Sequence, residues 1–321
     1  MKVVKLSSTL MLMFLFNLMS YIWAAPKDIN CALVFEKGYL WTGNGKGVIC
    51  WDTKNFTSEF FDKNNKLKHN EVKTIYLSKD GEIWIGTFGG GICICKDRKW
   101  RYITQEDGLP SNKVMSIIQD QKGNFWIGTD NCLACYDGNK WKVYKTKQGL
   151  LSNRVQCLAV DSKNNLWIGT DAGLAKFDGT EWTNYQVGQG GLLSNNIQVI
   201  VIDKADNLWI GMGPDSEQNE GGLNKFNGST MWKSYQVNDG LCANDVWAIG
   251  IDQDGNRWIG TSKGLSKFDL REWTCYTVDD GLISDNIHSI GFDQQGHLWL
   301  GAEGCITMFD GINWSTYKTG E

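Results

Sequence analysis

Enzymatic chemistry needs polar side chains held at matched spacing, and this chain supplies few such sets. Its three histidines, His69, His288 and His297, occupy unrelated places, and no two have metal-ligand spacing. Cys132 and Cys135 spell a CxxC pair, but three residues apart on a strand they point to opposite faces, so neither a zinc nor a redox site follows. Cys93 and Cys95 do share a face, yet no second pair completes a site. The turn Asp252-Gln-Asp-Gly-Asn256 hints at calcium; it is too short for an EF-hand loop and lacks the closing bidentate acid. Arg98, Arg101, Arg154, Arg257 and Arg271 do not gather into the cluster that would bind a substrate carboxylate. The residues predict no metal, no cofactor and no catalytic constellation. The chemistry to look for is recognition.

Which side chains could recognise a ligand is visible only against a repeat. Seven tryptophans are followed by a short small-residue step: Trp41-Thr-Gly, Trp84-Ile-Gly, Trp126-Ile-Gly, Trp167-Ile-Gly, Trp209-Ile-Gly, Trp258-Ile-Gly and Trp299-Leu-Gly. They lie 43, 42, 41, 42, 49 and 41 residues apart. A period of about 40–45 residues with several strands per unit marks a propeller blade. The expected fold is therefore all-β, a seven-bladed β-propeller of four-stranded antiparallel blades. The third unit shows the pattern, with strands over Val114 to Asp120, Phe125 to Thr129, Leu133 to Tyr136 and Lys140 to Tyr144, and Gly, Asn and Asp at each break. Strands ~4.8 Å apart put the fourth about 14 Å from the first, so a long link must return the chain to the axis. That link is the crossover, and it shares one face of the ring with the loops between second and third strands. The repeated tryptophans have apolar neighbours on both sides and read as packing between blades rather than as a sugar platform.

Bulk properties narrow the setting. Lys2 and Lys5, the apolar stretch Leu10 to Trp23 and Ala24-Ala25 have the layout of an export signal, so residues 1–25 are expected to be a signal peptide and residues 26–321 the propeller. Losing Lys2 and Lys5 moves the formal charge from −4 to −6, which disfavours nucleic acid as a partner. The mature chain should have no membrane span and lie in the periplasm or outside the cell. Ten cysteines in an exported chain raise the question of disulfides. Their slots argue against a framework: Cys132 and Cys305 stand where other units have Gly173, Gly222 or Gly264, Cys50 and Cys135 where others have Lys176, Lys225 or Lys267, and Cys157 where others have Ser116 and Ser289.

The assembled consensus is crossover Gly-Leu-x-Ser-Asn, then Val-x-x-Ile-x-x-Asp, then Gly-Asn-Leu-Trp-Ile-Gly-Thr. From about residue 28 to 321 it resembles the two-component regulator propeller repeat. The resemblance implies a seven-bladed ring of the sort found in the extracytoplasmic parts of hybrid sensor kinases, many implicated in sensing glycans. The seventh unit is read as ending with its fourth strand, Trp314 to Tyr317, and no sandwich domain, membrane helix or kinase is expected after it. A message would then pass to a partner protein such as a separate membrane sensor, and ring closure would rest on packing between units one and seven.

A ligand, a glycan or another small molecule, is expected on the crossover face, where irregular loops ride on a rigid scaffold. Asn70, Asn112, Asn153, Asn195, Asn244 and Asp285 recur at the entry to the innermost strands, where they either face a ligand or cap the crossover as Asx turns. The slot after the strand-one valine holds Lys73, Met115, Gln156, Gln198, Trp247 and His288, and Trp247 is the outlier in size. The 49-residue step places an extension, Met212 to Gly221, in unit five on the same face. The expected ligand-binding set is Trp247, His288, Gln198, Asn195, Asn244, Asp285, Asp215 and Glu217. Two other functions compete: a scaffold for another protein, and a lyase or hydrolase with His288 as general base.

Overall fold

The computed structural model describes residues 33–36, 38–52, 55, 57–188, 191–215, 220–302 and 305–318. The segment read as a signal, residues 1–25, lies outside them. Among the described residues twenty-eight strands, β1 to β28 in chain order, form seven four-stranded antiparallel sheets. In each sheet consecutive strands are neighbours, so each sheet is one blade. Blade three contains β9 (Val114–Gln119), β10 (Phe125–Thr129), β11 (Leu133–Tyr136) and β12 (Trp141–Tyr144). The other innermost strands are β1 (Leu33–Glu36), β5 (Val72–Leu77), β13 (Val155–Val160), β17 (Ile197–Ile202), β21 (Val246–Ile251) and β25 (Ile287–Phe292). Among the described residues no helix is long and apolar enough to cross a membrane.

The repeat follows from how blades meet. Trp167 and Trp209 are buried in the layers between blades, Trp167 only 1% exposed. The glycine two places after each such tryptophan is demanded by the next blade: a Cβ on Gly169 would lie 2.6 Å from Ile197 Cγ2, and one on Gly211 2.5 Å from Val246 Cγ1. The aspartate that ends most innermost strands is a clamp. Asp161 Oδ1 accepts from the amides of Lys163 and Asn165 at 3.0 and 2.8 Å, and Oδ2 accepts from Asn165 Nδ2 and Trp167 Nε1 at 2.7 and 3.1 Å. Asp252 likewise bonds Asn256 and Trp258, so its carboxylate is occupied by its own turn and wall tryptophan. Blade one meets blade seven through packing, with Phe35 and Trp299 5.8 Å apart and Trp51 and Trp299 both against Ile306. The two end blades supply their own four strands and share none.

One cysteine pair departs from the expectation drawn from the slots. Cys242, in the crossover into blade six, is bonded to Cys275 in β24 (Trp273–Tyr276), 33 residues later, with Cα atoms 5.7 Å apart. The slots compare equivalent positions of different blades, whereas this bond joins two non-equivalent positions of one blade. The filler reading describes others: burial pushes the Cys93 and Cys95 thiols up to about 11 and Cys157 up to about 12, so they are protonated and unreactive at neutral pH.

On the face away from the crossovers, the hairpin tips between third and fourth strands usually turn on a left-handed glycine, as at Gly138, Gly179 and Gly311. Blade six has Leu270 there, at φ 78° and 57% exposed. A leucine in that region costs roughly 1–2 kcal/mol, partly offset by its smaller backbone entropy than glycine's when unfolded. Leu270→Gly is therefore expected to raise stability by about 0.5–1 kcal/mol, read as a higher denaturant midpoint at unchanged slope. A lower midpoint would show that the leucine makes contacts worth more than its strain.

Candidate functional site at the crossover mouth

The slot singled out by the repeat is a β-bulge in every blade from two to seven. In blade six, Val246 pairs with Thr261 and Ala248 with Gly260, which leaves Trp247 as the extra residue. The same shift brackets Lys73, Met115, Gln156, Gln198 and His288. A bulge turns its extra side chain out of the alternation of the strand. Six such side chains, one per blade, therefore ring the entrance to the axis on the crossover face.

Their chemistry is uneven around the ring. At blades two and three, Lys73 pairs with Glu71 at 2.8 Å and Lys113 with Asp130 at 3.4 Å, and both ammonium groups lie over the Phe88 ring. At blades five to seven the wall is aromatic and amide-rich. Trp247 stacks on His288 with ring centroids 4.4 Å apart and planes 5° from parallel. Asp245, two residues before Trp247, accepts a long hydrogen bond, 3.4 Å, at Oδ1 from Gln198 Nε2. Gly213 permits this approach, since a Cβ there would lie 2.0 Å from Gln198 Nε2. One step back around the ring, Gln156 Nε2 donates to Asn196 Oδ1 at 2.9 Å. The structure thus brings Gln198, Trp247 and His288 together and adds Asp245 and Asn196.

Asp245 and Asn196 belong to a slot that was open to inspection. The residue before the strand-one valine is Glu71, Lys113, Arg154, Asn196, Asp245 or Asn286, as variable as the bulge slot itself. Its importance comes from contact with the bulge side chain of the preceding blade, which a repeat alignment does not display.

The recurring asparagines have a different use. Asn195 Oδ1 accepts from the amide of Val187, Asn244 Oδ1 from Val237 and Asp285 Oδ1 from Val278, each at 2.9 Å. Asn112 and Asn153 do the same to Gln105 and Thr146. These bonds span seven or eight residues and close the whole crossover, which is a longer loop than an Asx turn. The blade-five extension is pinned as well: Asp215 Oδ2 accepts from the Asn195 amide at 2.9 Å and from Ser194 Oγ at 3.2 Å, and Glu220 Oε2 accepts from Asn244 Nδ2 at 3.0 Å. Asp215 so fixes the extension to the crossover of its own blade, apart from the Trp247 stack. Glu217 lies outside the described residues. A shallow open cleft of about 430 Å³ on the same face, beside Ser111, Lys113, Asp130 and Asn131, includes neither Trp247 nor His288. Its polar, solvent-open lining makes it a weaker candidate than the stacked pair.

Burial raises the Asp245 carboxyl above its usual range, against the opposing effect of the neighbouring Trp247 and Gln198 side chains. Because the folded value exceeds the unfolded one, the native state binds the extra proton between the two, and stability falls as pH rises through that window. Asp245→Asn should therefore melt higher than the parent at neutral pH, with the difference vanishing below the ordinary carboxylate range. Melting curves of both proteins from acid to neutral pH provide the check, and a parent that is the more stable at neutral pH would contradict the assignment. Among the described residues no group of His, Cys, Asp or Glu could hold a metal ion.

Five segments, residues 66–89, 108–131, 149–172, 191–213 and 281–304, match the family described as two component regulator propeller. No curated protein sequence matches the chain. Among solved structures, streptogramin B lyase is similar at 14% identity over 91% of this chain and 95% of that one, with a TM-score of 0.67. PorZ, a surface component of the type-IX secretion system of Porphyromonas gingivalis, is 18% identical over 88% of this chain and 46% of its own, with a TM-score of 0.67. The extracellular domain of a hybrid two-component system from B. thetaiotaomicron is 19% identical over 89% of this chain and 51% of its own, with a TM-score of 0.44. At such identities the likeness is one of fold.

Proposed function

We propose, from the premise that five of the seven blades carry two-component regulator propeller repeats, that this chain is an exported ligand-binding module whose crossover mouth receives a small ligand, a glycan being the favoured class. The observation that carries the reading is the stacked Trp247–His288 pair with Asp245 and Gln198 beside it. A flat aromatic surface next to carboxyl and amide groups suits the apolar face and hydroxyl edge of a sugar ring. Two features support export: the signal-like residues 1–25 and the Cys242–Cys275 bond, which belongs to an oxidising compartment. The reading also extends to a separate membrane protein that would relay occupancy.

The test is a screen of the purified ring against a glycan array and a panel of small periplasmic solutes, scored by thermal shift. A saturable shift supports a ligand module. A flat response together with a stable, stoichiometric protein complex would favour the scaffold reading. The enzyme reading rests on an imidazole placed at the mouth. Turnover of a bound compound, lost in His288→Ala, would establish it in place of simple binding.

A further inference from the structure

Each blade must hold its incoming crossover against its own outer strands, and three neighbouring blades do so differently. In blade four, Asn184 Nδ2 on the fourth strand donates to Gly149 O at 3.1 Å. In blade five, Asn224 on the third strand reaches the same place, donating to Gly191 O at 3.1 Å and to Ser234 Oγ at 2.9 Å, while its Oδ1 accepts from the Leu193 amide at 3.2 Å. Blade six has Ser266 where blade five has Asn224. The hydroxyl accepts from the Cys242 amide at 2.9 Å and lies 3.1 Å from the Cys242 sulfur. The amide donor used by blades four and five is missing from this arrangement, and the Cys242–Cys275 bond stands in its position. The blade with this covalent fastening is the one whose crossover leads within five residues to Trp247.

We propose that the Cys242–Cys275 disulfide is the positioning element of the Trp247 wall, holding the crossover so that Asp245 meets Gln198 and Trp247 lies flat on His288. The inference rests on the ligand reading for its significance, but its geometry can be tested without any ligand. Asn244 and Val246, either side of Asp245, are held by the crossover bond to Val237 and by core burial, so the segment is one short body fastened at its start. Cys275 is exposed, which leaves the bond open to a thiol or phosphine reductant. Reduction adds two electrons and two protons, breaks the S–S bond and leaves two thiols, while a dithiol reductant becomes its own disulfide or a phosphine its oxide. Blades four and five keep their hydrogen-bonded fastenings and every blade keeps its four-stranded sheet, so the ring stays folded while this one wall loosens.

The stack supplies a spectroscopic reporter. With indole and imidazole 4.4 Å apart and parallel, the ring current of Trp247 should displace the His288 carbon-bound proton upfield, and only three histidines need assigning. The expected result in the oxidised protein is a displaced His288 resonance that moves toward the value of an unstacked histidine when a phosphine is added, with mass spectrometry confirming two new thiols. Backbone amides of residues 241–247 should lose hydrogen-exchange protection in the same samples while those of blades three and four do not. Cys275→Ser should reproduce the reduced state, and the pair Cys242→Leu with Cys275→Asn, which transplants the fastening of blade four, should restore the displaced resonance. An unmoved His288 resonance in fully reduced, folded protein would overturn the proposal and leave the ligand reading intact. If the serine variant fails to fold, the reduced parent still decides the question. Failure of every ligand to bind the oxidised ring would sink the ligand reading while leaving the positioning role standing.

Discussion

Asp161→Ala is expected to destabilise the ring by about 3 kcal/mol, because one carboxylate satisfies four donors in and beside a buried layer. Water can replace it at the turn amides of Lys163 and Asn165. It cannot easily reach Trp167 Nε1, which is buried between blades. The indole donor then loses its partner at a cost of about 1–3 kcal/mol, and the turn loses its organising acceptor. Asp161→Asn should cost about half as much, since one oxygen remains to accept while its amide faces a donor. Denaturant unfolding of the two variants makes the comparison, with the midpoint rather than the slope expected to move. A loss below about 0.5 kcal/mol for alanine, the range of ordinary surface substitutions, would mean that the clamp is dispensable.

That clamp shows what a repeat can and cannot say. The Trp-Ile-Gly step was legible because its cause is steric and local: the glycine is demanded by the neighbouring blade, and the demand recurs with the blade. Strand positions followed from it, as blade three shows within a residue at each end. The aspartate recurs equally well, but its partner lies six residues on across a hairpin, so from the chain it could be seen only as a turn former. The recurring asparagines have the same character, with partners seven or eight residues back. The disulfide was least legible of all. Its two halves sit in unlike slots, and the likeness of equivalent positions carries no trace of a bond between non-equivalent ones. At the mouth, the bulge slot stood out by the size of Trp247, while Asp245 did not, because its contact with Gln198 crosses from one blade to the next.

Trp247→Ala should cut ligand affinity by about 30-fold, the 2 kcal/mol of a central aromatic anchor, while lowering the melting temperature by only about 2–4 °C. The small stability cost follows from its place: Trp247 is half-buried at the mouth, where its stacking partner is His288, whereas the wall tryptophans are sealed between blades. Removing Trp167 instead should cost about 3–5 kcal/mol, with any effect on binding following only from unfolding. Asp245 keeps its bond from Gln198 when Trp247 is truncated, so the alanine variant removes the stacked ring and the indole N–H together. Trp247→Phe separates them, because a phenyl ring can still stack on His288 and on a ligand but has no N–H to donate. If phenylalanine retains most of the affinity, the ligand uses the aromatic face. If it binds as weakly as alanine, the ligand uses the indole N–H rather than the aromatic face alone. Equal affinity of parent, phenylalanine and alanine variants would remove the mouth at blades five to seven from consideration altogether.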